Sequence, residues 1–232
     1  MALNKKKQLL QTKRKLVTQI SPKSPISEQY KTIRTNIQFS SIDEEMQTIL
    51  VTSPGPGEGK STTVSNLAVV FAQAGKKVLL VDSDLRKPTA HYTFSFTNTF
   101  GLTNVLTKQM SFEKAVKGSD VENLDILTSG PIPPNPAELL GSKSMVELTK
   151  KLKELYDIIL YDTPPVLAVT DAQVLSNMCD GVILVVSSGR TEKETAIKAK
   201  ELLLGVQAKI AGVVLNNKDI KESSYYYYYG KK

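Results

Sequence analysis

Residues 48–62 read TILVTSPGPGEGKST, and the fold is decided there. The first six residues, 48–53, are largely apolar or β-branched, the composition of a buried strand. Residues 54–59 then hold three glycines and two prolines, and from Lys60 an apolar helical pattern runs to residue 74, closed by Gly75. A strand, a glycine-rich loop and a helix opening on Lys-Ser form the setting of a Walker A phosphate loop. Glycines let backbone N–H groups turn toward phosphate oxygens, and the helix N-terminus adds positive potential. Gly55, Pro56, Gly57, Glu58, Gly59, Lys60, Ser61 and Thr62 are therefore candidate nucleotide-binding residues. Lys60 is expected to bridge the β- and γ-phosphates of ATP, and Ser61 to ligate Mg²⁺. One position departs from the G-x-x-x-x-G-K-[ST] pattern: Pro54 stands where the first glycine belongs.

Outward from this loop, short apolar runs alternate with helical patterns. Strands are expected at 78–82 (VLLVD), 124–128 (LDILT), 157–162 (DIILYD), 181–187 (GVILVVS) and 210–216 (IAGVVLN), with helices at 144–156 and 191–204. Near-continuous apolar strands separated by helices predict a single α/β domain: a P-loop NTPase-like fold, its mostly parallel sheet covered by helices on both faces. Ligands of such sheets bind at the carboxyl ends of the strands. The expected organisation is a basic flexible arm over 1–26, a folded domain over 27–217 and a flexible tail over 218–232. Within the domain, Ser27 is a candidate cap for a helix over 27–39, where Tyr30, Ile33 and Ile37 recur at helical spacing.

Two of the strands end in carboxylates. VLLVD delivers Asp82, with Asp84 two residues on, and DIILYD delivers Asp162. An apolar strand ending in Asp is the Walker B pattern, which fixes a carboxylate in the shell of a metal ion. Lys60, Asp82, Asp84 and Asp162 are the candidate catalytic residues, and Ser61, Asp82 and Asp162 the candidate metal ligands. Asn216, at the end of the last strand, is a candidate for reading the base.

Composition narrows the classes. The 232 residues carry one cysteine, Cys179, and one histidine, His91, which excludes a disulfide framework, a multi-Cys metal centre and a serine-type triad. No apolar run reaches the ~20 residues of a bilayer span, and no signal peptide is visible, so a cytoplasmic protein is expected. Seven cations (Lys5, Lys6, Lys7, Lys13, Arg14, Lys15 and Lys23) and no acid fall in residues 1–23; the 23 remaining Lys and Arg equal the 23 Asp and Glu. A basic arm on a formally neutral body argues against nucleic-acid binding, which would place the charge on the folded face. The arm is either a solvated tail or attracted to an anionic membrane or acidic partner.

Five stretches together resemble the bacterial tyrosine kinases of capsule and exopolysaccharide synthesis, members of the deviant-Walker ATPases: PGEGKST (56–62), VDSDLRKP (81–88), SGPIPPNPAELL (129–140), IILYDTPP (158–165) and the run Tyr225, Tyr226, Tyr227, Tyr228, Tyr229. The resemblance implies ATP-dependent phosphorylation of protein tyrosine, with an A′ motif at Asp82 and Asp84, Walker B at Asp162, and the terminal tyrosines as phosphoacceptors. Asp82 is taken as the nearer catalytic carboxylate, although the order of the two can be reversed. Glu28, Lys31 and Arg34 match the family's oligomerisation motif E-x-x-R-x-x-R with lysine at the first arginine. That exchange keeps the charge but loses the bidentate fork. The family further implies a ring-like homo-oligomer, a membrane adaptor that activates the kinase and recruits it to the inner face of the membrane, and a cognate tyrosine phosphatase. Two other readings compete: a positioning ATPase of the septum-site or plasmid-partition type, and a nucleotide-gated scaffold. The ATPases carry an early loop lysine where this chain has Gly55, and Pro56 where they have glycine.

Overall fold

A computed structural model describes residues 16–40 and 46–218. In chain order the elements are α1 (Val17–Ile20), α2 (Pro25–Phe39), β1 (Thr48–Thr52), α3 (Lys60–Ala72), β2 (Val78–Asp82), α4 (Ala90–Thr93), α5 (Leu102–Leu106), α6 (Phe112–Ala115), β3 (Lys117–Gly118), β4 (Leu124–Leu127), α7 (Pro136–Leu140), α8 (Lys143–Leu155), β5 (Ile158–Asp162), α9 (Asp171–Ser176), β6 (Gly181–Ser187), α10 (Lys193–Gly205) and β7 (Ile210–Asn216). The seven strands lie in the order β3-β4-β2-β5-β1-β6-β7. All pairs are parallel except β3 with β4. This is the mostly parallel, helix-covered sheet that the apolar runs predict.

Each central strand is apolar on both sides because two separate cores need it. Ile49 and Val51 of β1, Leu80 of β2, Leu160 of β5 and Ile183 of β6 face a core shared with α2 and α3. Leu50, Leu79, Ile159 and Leu184, one residue out of phase, face a second core shared with α5, α8 and α10. The period-two alternation thus partitions one continuous hydrophobic run between two layers. Helix α3 shows the same demand in helical form. It is buried on nearly all sides, with Leu67 through Phe71 at zero exposure, whereas α8 buries only Met145, Leu148, Thr149 and Leu152.

Burial of α3 on its outer side is completed by the segment expected to belong to a mobile arm. Thr18 is fully buried, and both its backbone N–H and its hydroxyl donate to Asn66 Oδ1 on α3, at 3.1 and 2.8 Å. Gln73 Nε2 returns a bond to the Thr18 carbonyl at 3.1 Å. The folded body therefore begins by Leu16, eleven residues before the expected domain start at residue 27. A second difference follows. Ser24, not Ser27, caps α2, accepting the Ser27 N–H at 3.2 Å with Pro25 at the first helical position. The buried Ser27 hydroxyl instead donates to the Ser21 carbonyl at 2.7 Å and holds the turn between α1 and α2.

The topology brings the chemistry together. Asp82 and Asp162 are register partners across β2 and β5, and Asp162 is also the partner of Val51 on β1. The loops after these three strands are cross-tied: Thr163 donates its hydroxyl to the Val51 carbonyl at 2.9 Å, and Ser83 its N–H to the Asp162 carbonyl at 2.8 Å.

Candidate active site

The phosphate loop, residues 54–59, leaves β1 and enters α3. Gly59 has φ +93°, and a Cβ there would lie 2.1 Å from Asn216 Nδ2, so both backbone conformation and space require glycine. Lys60 follows as the first residue of α3. Its ammonium lies 3.1 Å from Ser61 Oγ, 3.3 Å from Asp84 Oδ2 and 3.7 Å from Asp162 Oδ1. Burial pulls the Lys60 pKa down, but Asp162, then Asp84 and Asp82, outweigh it and hold the group above the ordinary lysine value. Lys60 is thus a permanently charged cation between two carboxylates.

Asp82 has no exposure. Its Oδ2 accepts the Thr89 and Ala90 N–H groups at 2.9 and 2.8 Å, while Oδ1 is buried without a hydrogen-bond partner. Burial, with the Asp162 charge second, raises its pKa to about 7 against the opposing pull of those two N–H groups. Asp84 is tied down on both oxygens, by the Lys87 N–H at 2.9 Å and by Lys60. The structure therefore brings Lys60, Ser61, Asp82, Asp84 and Asp162 into one cluster.

The hydroxyl of Ser61 and the strand-end carboxylates are hard oxygen donors of the kind Mg²⁺ takes. Among the described residues no three His, Cys, Asp or Glu converge as a ready-made cage. Asp82 Oδ1, buried without a hydrogen-bond partner, is an acceptor available within the cluster.

The other half of the loop is organised differently. Glu58, 5% exposed, turns its carboxylate into the protein: Oε1 accepts the Gly55 N–H at 2.9 Å, and Oε2 accepts the Ser187 N–H at 3.0 Å and the Thr191 hydroxyl at 2.7 Å. The Glu58 carbonyl accepts Asn216 Nδ2 at 2.8 Å. Asn216 is thus placed against the loop backbone at the end of β7. Pro56 and Gly57 are exposed on the rim.

Several contributors carry no motif. Ser187 and Thr191, which hold Glu58, lie over 120 residues from it and looked like strand end and helix start. Asp171, fully buried, takes Arg86 in a two-pronged pair at 3.0 and 2.9 Å, locking the loop after β2 to the chain after β5. The only available signal was an Asp near a helix start.

Glu28, Lys31 and Arg34 lie on α2, away from this cluster. Lys31 pairs with Glu28 at 2.7 Å and donates to the Pro22 carbonyl at 3.1 Å. Arg34 Nη1 donates to the Val70 carbonyl of α3 at 2.8 Å. Tyr225–Tyr229, residues 1–15 of the arm and the tail beyond residue 218 lie outside the described residues.

A family model described as AAA domain matches residues 46–211, the span from β1 into β7. Tyrosine-protein kinase YwqD of Bacillus subtilis is 58% identical over 219 residues, covering 94% of this chain and 92% of its own. The chain belongs to the bacterial tyrosine kinases. Its structural likeness runs the same way. The chimerical protein CapA2B2 superposes with a TM-score of 0.86 at 46% identity over 88% of the kinase and 90% of the other chain. The septum site-determining protein MinD of Pyrococcus horikoshii, solved with Mg-ADP, reaches a TM-score of 0.63 at 27% identity over 76% of the kinase and 74% of its own chain. The kinase thus shares the P-loop architecture of the positioning ATPases while its sequence groups with the tyrosine kinases.

Proposed function

We propose that this kinase transfers the γ-phosphate of ATP to the tyrosines of its own C-terminal run, Tyr225–Tyr229, with Mg²⁺, and so regulates capsule or exopolysaccharide synthesis. The observation that carries the reading is the placement of Lys60 among Asp82, Asp84 and Asp162 at the carboxyl ends of three adjacent parallel strands. The loop N–H groups and Lys60 bind and orient the triphosphate. Mg²⁺, held by Ser61 with Asp82 or Asp162, would supply charge neutralisation across the β- and γ-phosphates. The phenolic oxygen attacks phosphorus, the bond to the β-phosphate oxygen breaks, and ADP leaves. The phenol proton passes to Asp82, whose pKa of about 7 suits a base working near neutrality. A tyrosine with an ordinary pKa near ~10 needs such an acceptor.

Lys60→Met is expected to abolish phosphotyrosine formation with labelled ATP and Mg²⁺, and replacement of Tyr225–Tyr229 by Phe to remove the label from the tail. Persistent labelling of the Lys60 variant would refute the assigned site, and free phosphate without protein label would favour a positioning ATPase. Phosphopeptide mapping with and without a candidate adaptor addresses the remaining partners.

Those partners follow from the same reading. A membrane adaptor activates the kinase and holds it at the inner face of the membrane; no helix among the described residues is long and apolar enough to cross one. Self-assembly, ring-like in the family pattern, draws support from the open edge of the sheet, where Val213 and Leu215 are 61% and 51% exposed. A tyrosine phosphatase resets the tail.

A further inference from the structure

The nucleotide site has two unlike sides, divided by β1. On one side stand β5 and β2, whose ends carry Asp162, Asp82 and Asp84; on the other stand β6 and β7, whose ends carry Ser187 and Asn216. Lys60 leans toward the first side, at 3.3 and 3.7 Å from its carboxylates. In the kinase reading, on which this inference rests, the terminal phosphates lie with Lys60 and the metal ligands. The nucleoside, at the far end of the triphosphate, must then leave the loop over β6 and β7.

A cation stands there. Arg190, exposed in the turn between β6 and α10, places its guanidinium on the rim of the phosphate loop. Nη1 donates to the Gly57 carbonyl at 3.4 Å, and a Cβ at Gly57 would touch both Nη atoms at 3.4 Å. None of the ion pairs among the described residues involves it. The turn that carries Arg190 is fixed to the loop. Glu58 takes the Ser187 N–H and the Thr191 hydroxyl on the two sides of Arg190, and the Ser188 N–H reaches the Asn216 carbonyl at 2.8 Å. A side chain held at its base by buried bonds, with its planar head on the exposed rim and tied to the loop by one long bond, is arranged to meet a ligand.

We propose that Arg190 is the nucleoside-side contact of the ATP site, its guanidinium lying against the face of the adenine base. A flat delocalised cation stacks on an aromatic ring without needing a particular hydrogen-bond pattern. Glu58 and Thr191 are positioning residues that hold the Arg190 turn to the loop.

Calorimetric titration of the full-length chain with ADP, a non-hydrolysable ATP analogue and tripolyphosphate tests this, with thermal melts establishing that each variant is folded. Arg190→Ala is expected to weaken ADP and the ATP analogue equally, by about fivefold to tenfold, and to leave tripolyphosphate binding unchanged. Arg190→Lys, which keeps the charge but not the plane, recovers less than half of the loss. Equal ADP affinity in Arg190→Ala and wild type overturns the proposal. So does a loss confined to the ATP analogue, which would place Arg190 at the γ-phosphate, or a loss shared by tripolyphosphate. Wild-type protein that binds none of the three ligands would remove the kinase reading itself and this inference with it.

Discussion

Asp82 meets two opposed demands. The proposed mechanism asks it to work as a charged base, yet it is buried where a charge is costly, and burial with the Asp162 charge raises its pKa to about 7. The folded state therefore holds a proton that the unfolded chain releases. The favourable contribution of that proton is complete below the unfolded value near 4 and is lost as pH rises toward 7. Asp82→Asn, which keeps an acceptor for the Thr89 and Ala90 N–H groups and can donate toward Asp162, is expected to raise Tm at pH 8 by about 5 °C. The gain shrinks at pH 5, and phosphotyrosine formation is lost at both. A lower Tm at pH 8 would show that Asp82 is not a strained buried charge.

At the level of elements, the strands and the phosphate loop were legible because both are written in contiguous residues. Apolar runs of five to seven residues ending in Asp or Ser leave little choice in a doubly covered sheet. The dipeptide Lys117–Gly118 that forms the antiparallel β3 is too short to carry any pattern. The site was half legible. Lys60, Asp82, Asp84 and Asp162 lie at ends of elements with periodic signals. The partners of Glu58 and Arg86 are set by tertiary neighbours, and their residue types, Ser, Thr and Asp, are equally at home as caps and turns. The N-terminal boundary was misplaced for a related reason. Polar, proline-bearing sequence reads as an arm, and only the three-dimensional position of Asn66 shows that Thr18 has a buried partner. Asn66 bonds the Thr18 N–H, the Thr18 hydroxyl and the Thr62 carbonyl. Asn66→Ala should therefore cost about 2–4 kcal/mol in urea unfolding. A change below about 0.5 kcal/mol would mean that α1 contributes nothing to the fold.

For the whole molecule, charge is unevenly distributed along the sequence. Residues 1–23 hold all seven of the excess cations, while the open sheet edge at β7 is apolar. Association of the full chain with vesicles containing anionic lipid is expected to fall steeply between 0.1 and 0.5 M salt, roughly the range over which the Debye length shrinks from ~10 Å toward 4 Å. Removal of residues 2–15 should abolish it; retention by the truncated chain would assign membrane affinity to the body. The burial of α3 has a different reach. Substrate-gripping segments usually belong to the parts of a protein that open first. Here the helix that presents Lys60 and Ser61 lies beneath α1 and α2 and inside a core, with Leu67 through Phe71 shielded completely. The amides of its shielded middle are expected to exchange with solvent chiefly when the domain as a whole comes apart, so the grip on phosphate and the integrity of the chain should fail at one temperature. Bound nucleotide then serves as an internal reporter of foldedness: its release during heating should track the loss of helical signal degree for degree.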